Sequence, residues 1–339
     1  MTFFKKLTVA AGLSILAGTA WADTVTLRFS SFHPATHWYV KDHLEPLFKS
    51  IEEATEGRVK VELLPKVVGT ALSQYDVVRD GLADMAYIIP GYTPDRFPLQ
   101  AIGELPLLGD DVEVMAPAFM KLYREKFAQF NEFGNVVPFA IYNVVPVRIF
   151  NARRQINTVA DFNGLKLRSP GKVTTAALEL LGAVPILKSS TEVYEMLSTG
   201  AIDGQLSVSP VLVAGNTIDF TKYATSIPGG IANSVHLVGI NADKWNQISE
   251  EDRKTLEEVV APEFVQSVIK AWAVQDQEAM DAFKAKGYDI GVVGPEFVTE
   301  FQALVKPIED EWINRAREKG VEDPAAILAE FRAAIQGGR

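Results

Sequence analysis

The sequence predicts an α/β protein of two domains, each with a mostly parallel sheet flanked by helices. The chain has 339 residues, which is more than a single hydrophobic core usually serves. Strand and helix patterns alternate along it in two separate series, an order typical of largely parallel sheets. No Gly/Ser-rich linker separates the two series, so structured crossings are expected to join the domains.

Residues 1–22 are predicted to be a secretory signal peptide. Lys5 and Lys6 precede an apolar and small-residue stretch, 7–20, and Ala20-Trp21-Ala22 is a small-x-small cleavage site. The stretch is too short and glycine-rich for a good membrane anchor. Cleavage after Ala22 would leave a mature chain of net charge −12, because the full chain carries −10 and two lysines are removed.

The first series begins with a strand over 25–30, where apolar and polar residues alternate. Apolar residues at helical spacing over 44–51 predict a helix that ends at Gly57. Alternation predicts a second strand over 59–63. A short helix ending near Gly81 and an apolar strand over 85–89 complete the series.

The second series has its own strands and helices. Strands are predicted over 139–150, 165–168 and 201–208, and helices over 174–181 and from a capping box at 189–192 to Gly200. A further apolar strand is predicted over 233–241. Ser249 begins a long helical stretch reaching about 286, in which Pro262 predicts a kink or a break. The charged tail from Glu296 is predicted to be helical.

Composition excludes several classes of function. The net charge of −10 disfavours nucleic acid and anionic membrane surfaces as partners, because both attract cationic proteins. The chain has no cysteine, which excludes disulfides, thiolate nucleophiles and cysteine-ligated metals. His33 and His37 are four residues apart, but Pro34 lies between them and no glutamate follows His33, so a metal site is disfavoured. No catalytic residue, metal or cofactor is predicted.

Two arginines are the candidates for ligand binding. Arg148 lies within the apolar run 144–150, and Arg168 ends the strand over 165–168. A guanidinium at a strand terminus can face the crevice where α/β proteins bind ligands, and its planar fork matches a carboxylate. The alternative for each arginine is a structural ion pair with one of the 43 acidic residues.

Motifs over 155–205 then identify a family. They are Asn157-Thr-Val-Ala-Asp-Phe-Asn-Gly-Leu-Lys-Leu-Arg168, Leu181-Gly-Ala-Val-Pro185, Thr191-Glu-Val-Tyr-Glu195 and Gly200-Ala-Ile-Asp-Gly-Gln205, preceded by Asp80-Gly-Leu-Ala-Asp-Met85. With them, the mature chain resembles the solute-binding proteins of tripartite ATP-independent periplasmic (TRAP) transporters.

The resemblance implies a two-domain periplasmic binding protein with a ligand cleft between the domains and a long helix crossing both. Domain I would comprise 23–145 and 232–272, and domain II 146–231 and 273–339. Arg168 would clamp a substrate carboxylate and Arg148 would assist it. Ser207 stands where the family usually has an asparagine that contacts the ligand. The loops after the first and third strands add the other predicted site residues, which with His236 are His33, His37, Trp38, Tyr87 and Tyr92.

The resemblance also implies partners: a small organic carboxylate and the permease subunits of a TRAP transporter, met in the periplasm without a membrane anchor. Leu206 and Ser207 replace the family's usual glutamate and asparagine, which favours a monocarboxylate with an apolar or aromatic body. A sugar acid or a dicarboxylate is the alternative ligand. A periplasmic ligand sensor and a secreted hydrolase are the alternative classes.

Overall fold

The computed structural model describes residues 24–337, so the predicted signal peptide and its cleavage site lie outside the described residues. The strands are β1 Val25–Ser30, β2 Val59–Leu63, β3 Met85–Ile88, β4 Val136–Asn143, β5 Arg148–Asn151, β6 Lys166–Ser169, β7 Val184–Leu187, β8 Gly204–Ser207, β9 Tyr223–Ser226, β10 Val235–Asn241 and β11 Asp289–Val292.

Helices cover the faces of the sheets. They are α1 Glu45–Ala54, α2 Gln74–Arg79, α3 Val112–Leu122, α4 Lys172–Leu180, α5 Val193–Ser198, α6 Ser209–Ala214, α7 Ala242–Trp245, α8 Glu250–Thr255, α9 Ala261–Ala285, α10 Pro295–Glu318 and α11 Pro324–Gly337. Short 3₁₀ and π-helical turns extend several of them. Among residues 24–337, no helix combines the length and the apolar character that crossing a bilayer requires.

The strands form two sheets. The first has the order β2-β1-β3-β10-β4 and the second has the order β11-β9-β5-β8-β6-β7. In the first sheet β10 is antiparallel to both of its neighbours, and in the second sheet β5 is antiparallel to both of its neighbours. All other pairings are parallel. The predicted α/β class is confirmed, and each sheet is mixed through one reversed strand.

The reversed strands follow from the way the chain crosses between the sheets. After β4 the chain continues through 144–147 directly into β5, and after β9 it returns through 227–234 into β10. A strand that enters a sheet from the edge where the others end must run against them. The two crossings are hydrogen-bonded to each other, since the Val144 and Val147 amides donate to the carbonyls of Ser234 (3.1 Å) and Ala232 (3.3 Å).

The prediction of one strand over 139–150 is therefore wrong. The apolar run contains two strands that belong to different sheets, and the residues between them form the crossing. Pro146 lies in that crossing and has no amide hydrogen to donate to a sheet. The strand predicted over 201–208 forms only as Gly204–Ser207. The predicted domain boundaries stay a prediction.

A long helix connects the two sheets. α9 packs against α3 and β4 on the first sheet and against α6 on the second. The helical path from 250 to 285 is not interrupted at Pro262, which lies in the first turn of α9. A π-helical turn, Leu256–Val260, immediately precedes it. A break at Pro262 therefore does not occur, and the alternative of a kink stays a prediction.

Two carboxyl groups lie at the 3₁₀ turn Gln100–Glu104 of the first-sheet half: Glu104 in the turn itself and Glu132 against its start. Glu132 accepts hydrogen bonds from the Leu99 and Gln100 amides at 2.9 and 3.0 Å, and burial raises its pKa to about 7. Glu104 is 6% exposed, and burial raises its pKa to about 8. Its carboxyl is therefore mostly protonated at neutral pH and ionises only in mildly alkaline solution.

We expect Glu104 to make the stability of the fold fall between pH 6 and pH 9. The pKa of Glu104 is higher in the folded chain than in the unfolded one, so the folded chain holds a proton on this carboxyl that the unfolded chain has already lost. The free energy of unfolding therefore decreases as pH rises, until the folded chain also loses the proton at about pH 8. The free energy of unfolding of Glu104→Gln minus that of the parent should increase by on the order of 2 kcal/mol from pH 6 to pH 9. Urea unfolding at both pH values measures this. Glu113→Gln on the exposed side of α3 is the control. If the difference in unfolding free energy between Glu104→Gln and the parent were the same at both pH values, the raised pKa of Glu104 would be contradicted.

Candidate functional site

A cavity of about 330 Å³ lies between the two sheets. Its first wall is formed by the loop after β1, the end of β3 and the start of β10; its second wall is formed by the ends of β6 and β8 and by the segment after β7. Because β10 is reversed, its first residues lie at the same edge as the last residues of the parallel strands. The cavity therefore occupies the position where α/β sheets usually bind ligands.

Arg168 is the charged group of the second wall. It lies on β6 between β7 and β8, and neighbouring carbonyls hold its guanidinium: Nε donates to the Lys188 carbonyl at 2.8 Å and Nη1 to the Leu206 carbonyl at 3.0 Å. Nη2 lies 3.5 Å from the Tyr92 hydroxyl. Guanidinium has five N–H donors, so these contacts leave donors for a ligand.

Among residues 24–337, the charge of Arg168 has no counter-ion. Arg168 is 2% exposed, and within residues 24–337 no carboxylate oxygen lies within 4.0 Å of the guanidinium nitrogens. Glu192, a nearby acid, instead pairs with Lys188 at 2.8 Å. Burial lowers the pKa of Arg168 below its ordinary value, but an arginine stays protonated in proteins. A buried, unpaired cation at a cavity is a site prepared for an anion.

Tyr92 joins the two walls. It follows β3 of the first sheet, and its hydroxyl accepts from the Ser190 amide (3.1 Å) and donates to Ser190 Oγ (3.3 Å) on the second-sheet side. Near it, the backbones of Gly91 and Gly171 meet across the cleft: a Cβ added at Gly91 would lie 3.3 Å from the Pro170 carbonyl and 3.5 Å from Gly171 Cα. The two halves are thus in contact around the cavity.

The first wall is aromatic. His33 stacks on His37 with ring centroids 4.1 Å apart, and Trp38 packs edge-on against Trp272 of α9 at 5.1 Å. Behind them the hydroxyl of Tyr87 hydrogen-bonds His236 Nδ1. Burial lowers the pKa of His37 to about 4 and that of His236 to about 3, and it also lowers the pKa of His33, with smaller contributions from the other two rings. These three imidazoles are therefore neutral at neutral pH.

The structure brings together eight of the nine predicted site residues. The cavity is lined by His33, His37, Trp38, Tyr87, Tyr92, Arg168, Ser207 and His236. Arg148 does not line it. Its guanidinium is 2.6 Å from Asp276 Oδ1 on α9 and also contacts Ser209 Oγ (2.9 Å) and Ser226 Oγ (3.1 Å). The structure thus places Arg148 in the structural ion pair that was its alternative, and the role of a second cation does not fit this geometry.

Sequence reasoning missed several lining residues. Ser190 and Tyr194 follow β7 and belong to a motif already recognised, so the rule that sites follow parallel strands would have included them. Trp272 lies in the middle of α9 and reaches the cavity only because that helix spans both sheets. Nothing in its local sequence distinguishes it from a core tryptophan.

In the part of the chain that the structure describes, no group of three or more His, Asp or Glu side chains is arranged to hold a metal ion. Of the residues lining the cavity, all within 24–337, Arg168 is the one with a charged side chain once the histidines are neutral. The arrangement suits a ligand with one negative charge and an apolar body.

Comparisons with known proteins show the family of the chain. The family model for bacterial extracellular solute-binding proteins, family 7, matches residues 29–315. A TRAP periplasmic solute-binding protein of Bordetella bronchiseptica, solved with bound (R)- and (S)-mandelate, is 32% identical with a TM-score of 0.87, covering 93% of this chain and 100% of that one.

Two further relatives are similar over nearly the whole chain. A marine metagenome TRAP solute-binding protein from an unidentified microbe, specific for aromatic acids and solved with 3-hydroxybenzoate, is 26% identical with a TM-score of 0.84, covering 93% of this chain and 99% of that one. The outer membrane transporter protein TsaT of Comamonas testosteroni is 27% identical over 328 residues, 96% of this chain and 97% of that protein.

We expect His37 and His236 to stay neutral down to pH 5.5 in the folded chain. NMR titration of the ring signals, assigned with single His→Gln variants, should show no protonation of either between pH 8 and pH 5.5. Because both pKa values are lowered on folding, the unfolded chain takes up protons first as pH falls, so the free energy of unfolding should decrease below about pH 6.5. A midpoint near pH 6.5 for either ring would contradict the burial described above.

Proposed function

The chain belongs to the bacterial extracellular solute-binding protein family 7, the solute-binding proteins of TRAP transporters, and we propose that it captures an aromatic monocarboxylate in the periplasm and delivers it to a TRAP permease. Proteins of this family bind small organic acids and work with membrane permease subunits. The observation that carries the proposal for this chain is the buried guanidinium of Arg168, which lies at a cavity with many aromatic side chains and has no counter-ion in the described part of the chain.

The charge of the cavity supports a monoanion. Two charge-assisted hydrogen bonds from Arg168 would contribute about 3–6 kcal/mol of the roughly 8 kcal/mol that micromolar binding needs. A second carboxylate would enter a wall of neutral histidines, where none of the described residues supplies a second cation to the cavity. Its desolvation would then be uncompensated, which disfavours a dicarboxylate.

The polarity of the lining supports an apolar, planar body. Phe32, Trp38, Tyr87 and Trp272 form much of the first wall, and Val208 and Val211 lie on the second. A sugar acid carries several hydroxyl groups, each of which would need a hydrogen-bonding partner in a closed cavity. The two aromatic-acid-binding relatives, which are similar to this chain over 93% of its length, support the same ligand class.

Binding is expected to stabilise the closed arrangement. Arg168 belongs to the second sheet and the aromatic wall to the first, so a ligand gains both sets of contacts only when the sheets approach each other. In this proposal the chain captures the ligand and delivers it to the permease, and it catalyses no reaction. N-terminal sequencing of the exported chain tests the periplasmic location and should begin at Asp23.

Replacing Arg168 by lysine should weaken binding of benzoate or mandelate at least tenfold, because an ammonium cannot reproduce the planar fork or the contacts with two carbonyls. Isothermal titration calorimetry measures this. The matched control is Arg148→Lys, which should keep the affinity within about threefold, since Arg148 faces Asp276 and not the cavity.

A thermal-shift screen defines the ligand class before calorimetry, because a ligand that binds only the folded chain raises its melting temperature. Benzoate and mandelate should raise it, and succinate and glucuronate should not. Equal affinity of parent and Arg168→Lys would remove the basis of the proposal. A shift with glucuronate or succinate alone would replace the ligand class and leave the family role intact.

We expect Gly91→Val to impair closure without changing the cavity itself. Gly91 does not line the ligand cavity, but a side chain there would press on Glu104 Oε1 of its own half and, across the cleft, on the Pro170 carbonyl and Gly171. Affinity for benzoate should fall, and small-angle scattering should show less compaction on adding ligand than in the parent. Gly294→Val is the matched control, because an added Cβ at Gly294 meets no atom within 4 Å. Full compaction of Gly91→Val with ligand would show that the contact does not limit closure.

A further inference from the structure

The stacked imidazoles of His33 and His37 have hydrogen-bonding capacity that the fold does not use. Both lie on the loop after β1 and line the cavity. His37 Nδ1 accepts a hydrogen bond from the Tyr39 amide at 3.1 Å. A neutral imidazole has one donor and one acceptor, so Nε2 of His37 carries the proton and is a donor.

The loop that carries His33 is held by hydrogen bonds to the His33 backbone and not to its ring. Ser31 Oγ fixes the turn, since it donates to the His33 carbonyl (3.0 Å) and accepts from the His33 amide (3.1 Å). Within residues 24–337, neither ring nitrogen of His33 has a hydrogen-bond partner. When the cleft is closed, a polar group in this position needs a partner from the ligand or from water.

The position of the two rings relative to Arg168 defines what that partner can be. They belong to the first wall and Arg168 to the second, so a ligand whose carboxylate lies on Arg168 can extend its other end to the wall that carries them. Neutral imidazoles pair well with a hydroxyl group, which both donates and accepts. They do not offset the desolvation of a second negative charge.

We propose that His33 and His37 determine ligand specificity by hydrogen-bonding a hydroxyl group on the ring of an aromatic monocarboxylate whose carboxylate binds Arg168. This inference rests on the proposed function and adds to it a preferred ligand subclass and the residues that select it. The cavity then recognises the acid at both ends, with a charge on the second wall and a neutral polar group on the first.

Calorimetry with matched ligands tests the proposal. The ligands are benzoate, 3-hydroxybenzoate, 4-hydroxybenzoate and isophthalate, and the proteins are the parent, His33→Phe and His37→Asn. Asparagine at position 37 keeps an oxygen acceptor for the Tyr39 amide and removes the free Nε2 donor. In the parent, at least one hydroxybenzoate should bind about fivefold more tightly than benzoate, the effect of one neutral hydrogen bond, and isophthalate should bind more weakly than benzoate.

In the variants the ratio of hydroxybenzoate affinity to benzoate affinity should fall to about one, and this ratio is the test, because both residues line the cavity and can also change the affinity for benzoate itself. His43→Leu is the histidine control, because His43 is buried outside the cavity, and it should keep the parent's preference. A preference that persists in both variants, or that is absent from the parent, would overturn this inference alone. If none of the aromatic acids binds the parent, the proposed function itself fails.

Discussion

A guanidinium that is buried with no counter-ion from residues 24–337 is the constraint on which the rest of this structure depends. Removing a cation from water is costly, and the cost is several kcal/mol even after the protein has relaxed around it. The carbonyls of Lys188 and Leu206 offset part of that cost, because they direct partial negative charge at Arg168 from the residue after β7 and from β8, on either side of β6. A ligand carboxylate supplies the remainder. The second sheet is thus stable enough to hold the charge and leaves binding energy available for an anion.

The topology brings this charge opposite an apolar wall. In each sheet the parallel strands end at the cleft, and the one reversed strand begins there because the chain enters from the other sheet. Residues from the ends of β3, β6 and β8 therefore meet residues from the start of β10 in one cavity. The helix α9 packs on both halves and contributes Trp272 to the cavity. Crossing segments that are hydrogen-bonded to each other keep the two halves aligned while allowing them to approach.

Local patterns predicted those parts of the fold and site that local residues determine. Alternation over 25–30 and 59–63 gave the positions of β1 and β2, and the position of Arg168 at the end of a strand was sufficient to nominate it. The other features of the fold and site depend on residues that are far apart in the sequence. Arg148 has the same local features as Arg168, but Asp276 on α9 pairs with it, and no pattern near position 148 indicates that. The crossing within 139–150 was hidden because both strands and the crossing are apolar. Strands such as β9 and β11 have four residues each, too few for alternation to show.

The same burial has opposite consequences for the two kinds of cationic side chain in the cavity. Desolvation lowers the pKa of Arg168 and of the three histidines alike. An arginine begins so far above neutral pH that it stays charged, whereas a histidine begins near 6.5 and becomes neutral. Closing the cleft therefore leaves one positive charge among several neutral hydrogen-bonding groups. That difference explains how a chain with a net charge of −10 can hold an anion, since the attraction is confined to one desolvated contact that distant surface charges, screened by salt, barely affect.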